Sequence, residues 1–545
     1  LEENMRRASP WFLILLLVLV PTPGRAASEV GEVAFANSGA AAAQQPFLSG
    51  LALLHDFEYE DAAEQFRKAE AIDPAFAMAY WGEAMTHNHP VWMQQEPDAA
   101  RAALLRLGAT PEARLAKAPT ARERDYLRAV EILYGSGSKE ERDFRYSDAM
   151  AALHARFPDD VDATAFYALS LLGTAHQGRD FALYMRSAAL LEEVLPTHPR
   201  HPGVLHYLIH SYDDPIHAPL GLRAARVYGS VAPNAGHALH MTSHIFVALG
   251  WWDDVIAANE KAMSVVNHHR AEHGQGAKTC GHYVGWLDYA FLQERRFDAA
   301  RQQLDACRRM TLEIVNHPPL PTDGSFLDDY AEMRVFHAIE SGHWDAADPF
   351  TVPAGPYAGT RLTLAYGEAM VAAAAAKATS GSGLAAFQAA AARLHDRHQA
   401  LLKEIATQAS DPAARTRAGL LVAQVDALLE IREGKTKEGI ARLRKAAEEE
   451  SAMALEFGPP AIEKPTWELL GDELQALGRN AEAEAAYQAA LARAPGRTSS
   501  LQGRLRAEQA LGKTGAAELT RAQIQRYVRP AAAARWAADP NADVK

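Results

Sequence analysis

The sequence predicts an all-α protein made of antiparallel helix pairs stacked side by side, and three observations carry that prediction. Apolar residues recur at the three- and four-residue steps of helix faces. Small residues sit where paired helices would touch, with Pro closing the pairs, and strand-type alternation is absent. At 545 residues, 48% hydrophobic and 23% charged, the chain suits several ordinary domains or one extended repeat array. Its net charge of −13 argues against a nucleic-acid groove and against docking on an anionic membrane.

The clearest pair is "WELLGDELQALGRNAEAEAAYQAALARAP", where Trp467, Leu470, Gly471, Leu474, Ala483, Tyr487, Ala490 and Pro495 fall on the tetratricopeptide (TPR) repeat template. "FLSGLALLHDFEYEDAAEQFRKAEAIDP" fits the same frame through Gly50, Ala62, Phe66, Ala69 and Pro74. Looser copies are "HIFVALGWWDDVIAANEKA", "YAFLQERRFDAARQQLDAC", "FHAIESGHWDAA" and "LLEIREGKTKEGIARLRKAA". Each pair leaves an apolar face that only a neighbouring pair can cover, so the expected fold is a TPR-like α-solenoid.

In chain order, residues 1–26 read as upstream residues and a signal peptide. Arg6 and Arg7 precede an apolar run from Trp11 to Val20, and small residues lead to a cleavage point after Ala26. That run is too short to span a bilayer, so the mature chain is expected to be periplasmic or extracellular, with no membrane span. Residues 27–45, rich in Ala, Ser and Gly, are expected to be a flexible leader. An N-terminal solenoid follows over 46–346, an Ala-rich helical middle over 347–465, C-terminal repeats over 466–530 and a tail over 531–545. The breaks fall at "DPFTVPAGPYAGT", "ATSGSG" and "EFGPPAIEKP".

Histidines recur with the repeat. His206 and His240 share repeat position 5, and His176, His210 and His244 share position 9, each 34 residues from the next. His237 and His282 fall at position 2, while His55 and His89 share position 13. Steps of three and four residues stay on one helix face, so His237, His240 and His244 form one stripe and His206 with His210 another, extended by Asp213 and Asp214. These positions face the concave groove of such a solenoid, as does Trp81 at position 5.

A groove lined by imidazoles has three readings. A metal ion is the sharpest, with His206, His210, His240 and His244 as ligands and His176, His237, His282, Asp213, Asp214, His89 and Trp81 around them; imidazole suits Zn, Cu and Fe. Acid–base or anion-binding histidines are the second reading, and a ladder of histidines bonding each other and backbone carbonyls is the third. No H-E-x-x-H, Cys₂His₂, phosphate-loop or G-x-S-x-G pattern is present. Ser243 sits at a small-residue packing position and reads as packing.

"AMAYWGEAMTHNHPVW", "HPGVLHYLIHSYDDPIHAPLGL" and "HALHMTSHIF" resemble phrases of a group of exported bacterial TPR proteins, over about Phe47 to Phe297. A fainter likeness runs to the tetratricopeptide repeat protein 38 family. The resemblance implies a TPR-like superhelix and no particular reaction. Members often carry Pro where this chain has Thr242, and a Cys before the first repeat that is absent here.

The two cysteines, Cys280 and Cys307, lie near ends that antiparallel helices bring together, and export would favour a disulfide between them; the alternative is one buried and one free thiol. The functional expectation is an exported TPR module that binds or scaffolds a protein or peptide partner, or a small ligand, with a histidine groove holding a metal ion or that ligand. The rival expectation is a metal-dependent hydrolase or oxidase with Asp213 or Asp214 as base.

Overall fold

The structure, a computed structural model, describes residues 26–320, 325–342, 350–378, 381–406 and 412–527. Among the described residues 24 α-helices follow one another. The strands among them are two short antiparallel ladders, Ala26–Ser28 with Gly31–Val33 and Asn88–His89 with Gln94–Gln95. The fold is an all-α, TPR-like solenoid.

The repeat frame has a plain packing cause. Phe66, on the helix Tyr59–Ile72, lies between Gly50 of the helix Gln44–His55 and Gly82 of the helix Ala77–Met85. A Cβ added at those glycines would stand 3.1 and 2.3 Å from the Phe66 ring. Tyr487 is held in the same way between Gly471 and Gly503, where added Cβ atoms would stand 2.8 and 2.3 Å from its ring. One large ring on a second helix therefore needs a bare backbone on the first helices at both sides, and the pairs stack.

The stretch expected to be a flexible leader packs instead. Its hairpin places Val33 and Phe35 in the core, and Glu32 donates its N–H to the Arg200 carbonyl at 3.2 Å. The Phe35 ring meets those of Phe47, Trp81 and Tyr126, with the Arg122 guanidinium 3.9 Å from its centroid. Apart from Ala26, the signal-peptide pattern lies outside the described residues, as does the tail over 531–545.

One apolar core runs from Val33 to Ala300 and takes in Phe336; a second runs from Val335 to Ala507. The Ala-rich helices and the last repeats share this second core, so it is undivided at 465. The end of the chain then returns to the first core. Buried Arg497 pairs with Glu468 and Glu340 and donates to the Tyr289 hydroxyl, while Thr498 bonds Gln293 through both N–H and hydroxyl. Cys280 and Cys307 form a disulfide, Cα–Cα 4.3 Å, tying the start of the helix His282–Gln293 to the helix Phe297–Asn316. No helix among the described residues is long and apolar enough to cross a membrane.

Candidate metal centre

Three successive first helices build the site. Pro202–Tyr212 carries His206 and His210, Gly236–Leu249 carries His237, His240 and His244, and His282–Gln293 begins with His282. Pro202 opens the first of them at a position where the missing N–H costs nothing. The second lacks a capping side chain of its own. Glu58, from a distant connection, supplies one by accepting from the His237 N–H at 2.8 Å.

Stacking of these helices turns sequence register into proximity. His206, His210 and His237 form one group, and His240, His244 and His282 another; within each group one ligand atom per residue lies within 4.8 Å of the others. His210 and His244 face each other across the groups, ring centroids 5.3 Å apart, and His237 and His240 stand 6.0 Å apart. All but His282 are buried.

The hydrogen bonds separate the two nitrogens of each buried ring. Nδ1 of His206 donates to the His55 carbonyl at 2.6 Å. Nδ1 of His240 faces the Asn259 Oδ1 at 2.7 Å, and that amide is oriented because its Nδ2 donates to the Val255 carbonyl. Nδ1 of His210 and of His244 both donate to one oxygen, Asp213 Oδ2, at 3.2 and 2.9 Å. Nδ1 of His237 bonds the Tyr283 hydroxyl at 3.0 Å. In all five rings Nε2 is buried and has no hydrogen-bond partner. With an acceptor fixing Nδ1–H in four of them, it is Nε2 that carries the lone pair when the ring is neutral. A buried polar atom left unpaired costs about 1–3 kcal/mol, a penalty a bound cation would remove.

Electrostatics keep the lone pairs available. Burial, reinforced by neighbouring imidazoles, holds His206, His237 and His240 well below the usual imidazole range. His244 is lowered to about 4, burial outweighing its bond to Asp213. Burial alone would raise Asp213, but the Arg179 guanidinium and the two imidazole donors keep its carboxyl well below the usual range, so it is ionised. Aromatic rings complete the wall. Phe57 stands 4.2 Å from His206, Tyr283 4.2 Å from His240, and Trp286 4.5 Å from His244. Phe457, from the "EFGPPAIEKP" segment, lies 4.9 Å from His244 and 5.9 Å from His210, closing the groove from the far end of the chain.

Other expected site residues lie elsewhere. Trp81 is core, its inner face filled by Phe35. His176 falls in the turn after the helix Val161–Leu172, off the expected register, and pairs with Asp143 at 3.0 Å. His89 sits in the short ladder, stacks on Tyr59 and bonds the Thr86 carbonyl through Nε2. Asp213 and Asp214 are not free to act as bases. Asp213 is engaged by Arg179, His210 and His244, while Asp214 accepts from the N–H groups of Ile216 and His217 in the turn before the next helix and pairs with the His217 ring. Of the expected ladder of histidines bonding each other and backbone carbonyls, one bond is present, from His206 to the His55 carbonyl, and the other four rings bond side chains of Asp213, Asn259 and Tyr283.

Sequence reasoning missed Phe57, Asn259, Tyr283, Phe457 and Arg179, none of which carries a motif. It also missed the neighbouring group of His55, Asp162 and His201. There His55 bonds Asp162 at 3.0 Å and the Tyr207 hydroxyl at 2.9 Å, and His201 bonds Asp162 at 3.2 Å and accepts from the Val204 N–H. Every imidazole nitrogen in it is engaged, so it is a packing network whose His55 carbonyl orients His206.

No family model and no curated protein matches the chain. Solved structures do. The Cut9–Hcn1 hetero-tetramer of the APC/C matches at TM-score 0.35 and 12% identity, over 90% of this chain and 75% of that one. The human IFIT1 dimer with PPP-AAAA matches at 0.35 and 11%, over 89% and 90%. The P58(IPK) TPR domain matches at 0.21 and 11%, over 87% and 99%.

Proposed function

We infer that this chain is an exported TPR module that binds or scaffolds a partner and holds a transition metal in its histidine groove. The carrying observation is the division of labour within five grouped rings: Nδ1 is committed to an oxygen acceptor or hydroxyl, Nε2 is left buried without a partner, and the rings gather in two groups with one nitrogen of each within 4.8 Å of the others. Metal-binding imidazoles are oriented in this way, the second nitrogen donating to a carboxylate, carbonyl or similar group. Export is supported by the N-terminal charge and apolar pattern and by the disulfide, which persists in oxidising compartments. Catalysis at the metal is the second reading. It is favoured by groups of three imidazoles, which leave a coordination position open as catalytic rather than structural sites do. The engaged state of Asp213 and Asp214 means that any base would have to come from the metal's own bound water.

Metal analysis of untagged protein purified without chelator tests this reading. It expects at least one Zn, Cu or Fe per chain, lost in a His206→Ala/His240→Ala variant. Trace metal in the wild type, under a tenth of an ion per chain, would contradict it.

A further inference from the structure

We propose that the groove holds two copper ions, one in each histidine triad, rather than a single ion. This rests on the metal reading above and specifies the number and kind of ion.

The six imidazoles split into two groups of three. Nitrogens bound at about 2.0–2.1 Å to one tetrahedral ion stand about 3.4 Å apart. Within each triad the ligand atoms already lie inside 4.8 Å of one another, so each set closes on an ion by small rotations of the rings. The partition is built into the surroundings. Asp213 Oδ2 orients one member of each triad, His210 and His244, and so holds the two sets side by side. His206 and His240 are fixed independently, by the His55 carbonyl and Asn259. Each triad thus has its own anchored ring as well as a share in the common carboxylate.

The ligands also select the ion. All six are imidazoles, donors that suit copper, and divalent copper stands highest among the first-row ions at such sites. The walls are Phe57, Tyr283, Trp286 and Phe457, and Asp213 is already paired with Arg179. Charge added here is therefore poorly compensated, and buried charge is costly. Cu(I) brings one charge per ion where Zn brings two, and three imidazoles complete a trigonal shell for it.

The test is a count. The full chain, stripped with chelator, is titrated anaerobically with Cu(I), separated from free metal by gel filtration, and assayed for copper per chain. Wild type should retain two coppers, and His206→Gln/His237→Gln and His240→Gln/His282→Gln should each retain one, with thermal melts monitored by circular dichroism to show that the variants fold. One copper per wild-type chain overturns the pair and leaves the metal reading standing. None overturns the copper pair, while the metal reading is decided separately by the Zn, Cu and Fe content of the untreated protein. Two coppers in both double variants overturn the assignment to these triads. The wild-type count decides the matter even if a variant does not fold.

Discussion

Gly250 and Gly496 meet backbone to backbone: a Cβ added to Gly496 would stand 2.3 Å from the Gly250 Cα. Gly250 ends the helix bearing His237, His240 and His244 in a left-handed conformation (φ 71°), and the Trp252 indole beside it donates to the Gly496 carbonyl at 3.0 Å. The last repeats are thereby docked on the turn that terminates the central site helix.

Gly496 does not have a positive φ, so alanine fits its backbone and the substitution tests contact alone. Gly496→Ala should destabilise the protein by about 1–3 kcal/mol, the usual cost of overpacking. A denaturant titration that leaves stability unchanged would mean that the two segments do not touch.

Arg497 is fully buried against Glu468 and Glu340. Arg497→Met keeps much of the volume and leaves two carboxylates without their cation, which should cost about 3–5 kcal/mol. The loss should be smaller in Arg497→Met/Glu468→Gln, because one stranded charge is removed with its partner. A double variant no more stable than the single one would speak against the pairing.

Much of this architecture is legible in the sequence because it depends on local spacing. Gly471 and Tyr487 sit on the repeat template, and their contact is the physical reason the template exists. The same spacing sets His206 with His210 and His240 with His244 on adjacent first helices, but each pair groups with His237 or His282 and the expected four do not form one set. It fails at His176, where the helix ends at Leu172 before the expected position is reached, and at Trp81, where Phe35 from the N-terminal hairpin fills the inner face. Phe457 over His244 and Asn259 behind His240 were not legible at all, since those contacts form only when distant helices close on each other.

Asp213 is the shared anchor of His210 and His244. Asp213→Asn preserves its shape, removes its charge and leaves Arg179 with Asp214 alone, at 3.4 Å, so metal affinity should fall about 10–100-fold, as when a group orienting a ligand is lost. Competition against a chromophoric chelator measures this. An unchanged affinity in a folded variant would remove Asp213 from the metal account.

Burial lowers His55 to about 4, against 6.5 for the free group. The unfolded chain takes up a proton as pH drops below about 6.5 while the folded ring stays neutral, so the stability associated with His55 is present above 6.5 and lost on the way to 4. Glu58, raised to about 7 by burial, acts in the opposite sense over an overlapping range, so the comparison must isolate His55. In chelator-treated protein, the stability advantage of wild type over His55→Gln should shrink by about 2 kcal/mol between pH 7 and pH 5. A gap that stays constant or widens contradicts a neutral buried His55.

The most direct measurement is diffraction at a metal absorption edge from crystals of protein purified without chelator. Anomalous density is expected at about 2.0–2.1 Å from imidazole nitrogens of His206, His210 and His237, and again beside those of His240, His244 and His282. A well-ordered groove with no anomalous density, its Nε2 atoms bonded to water, would contradict the central claim.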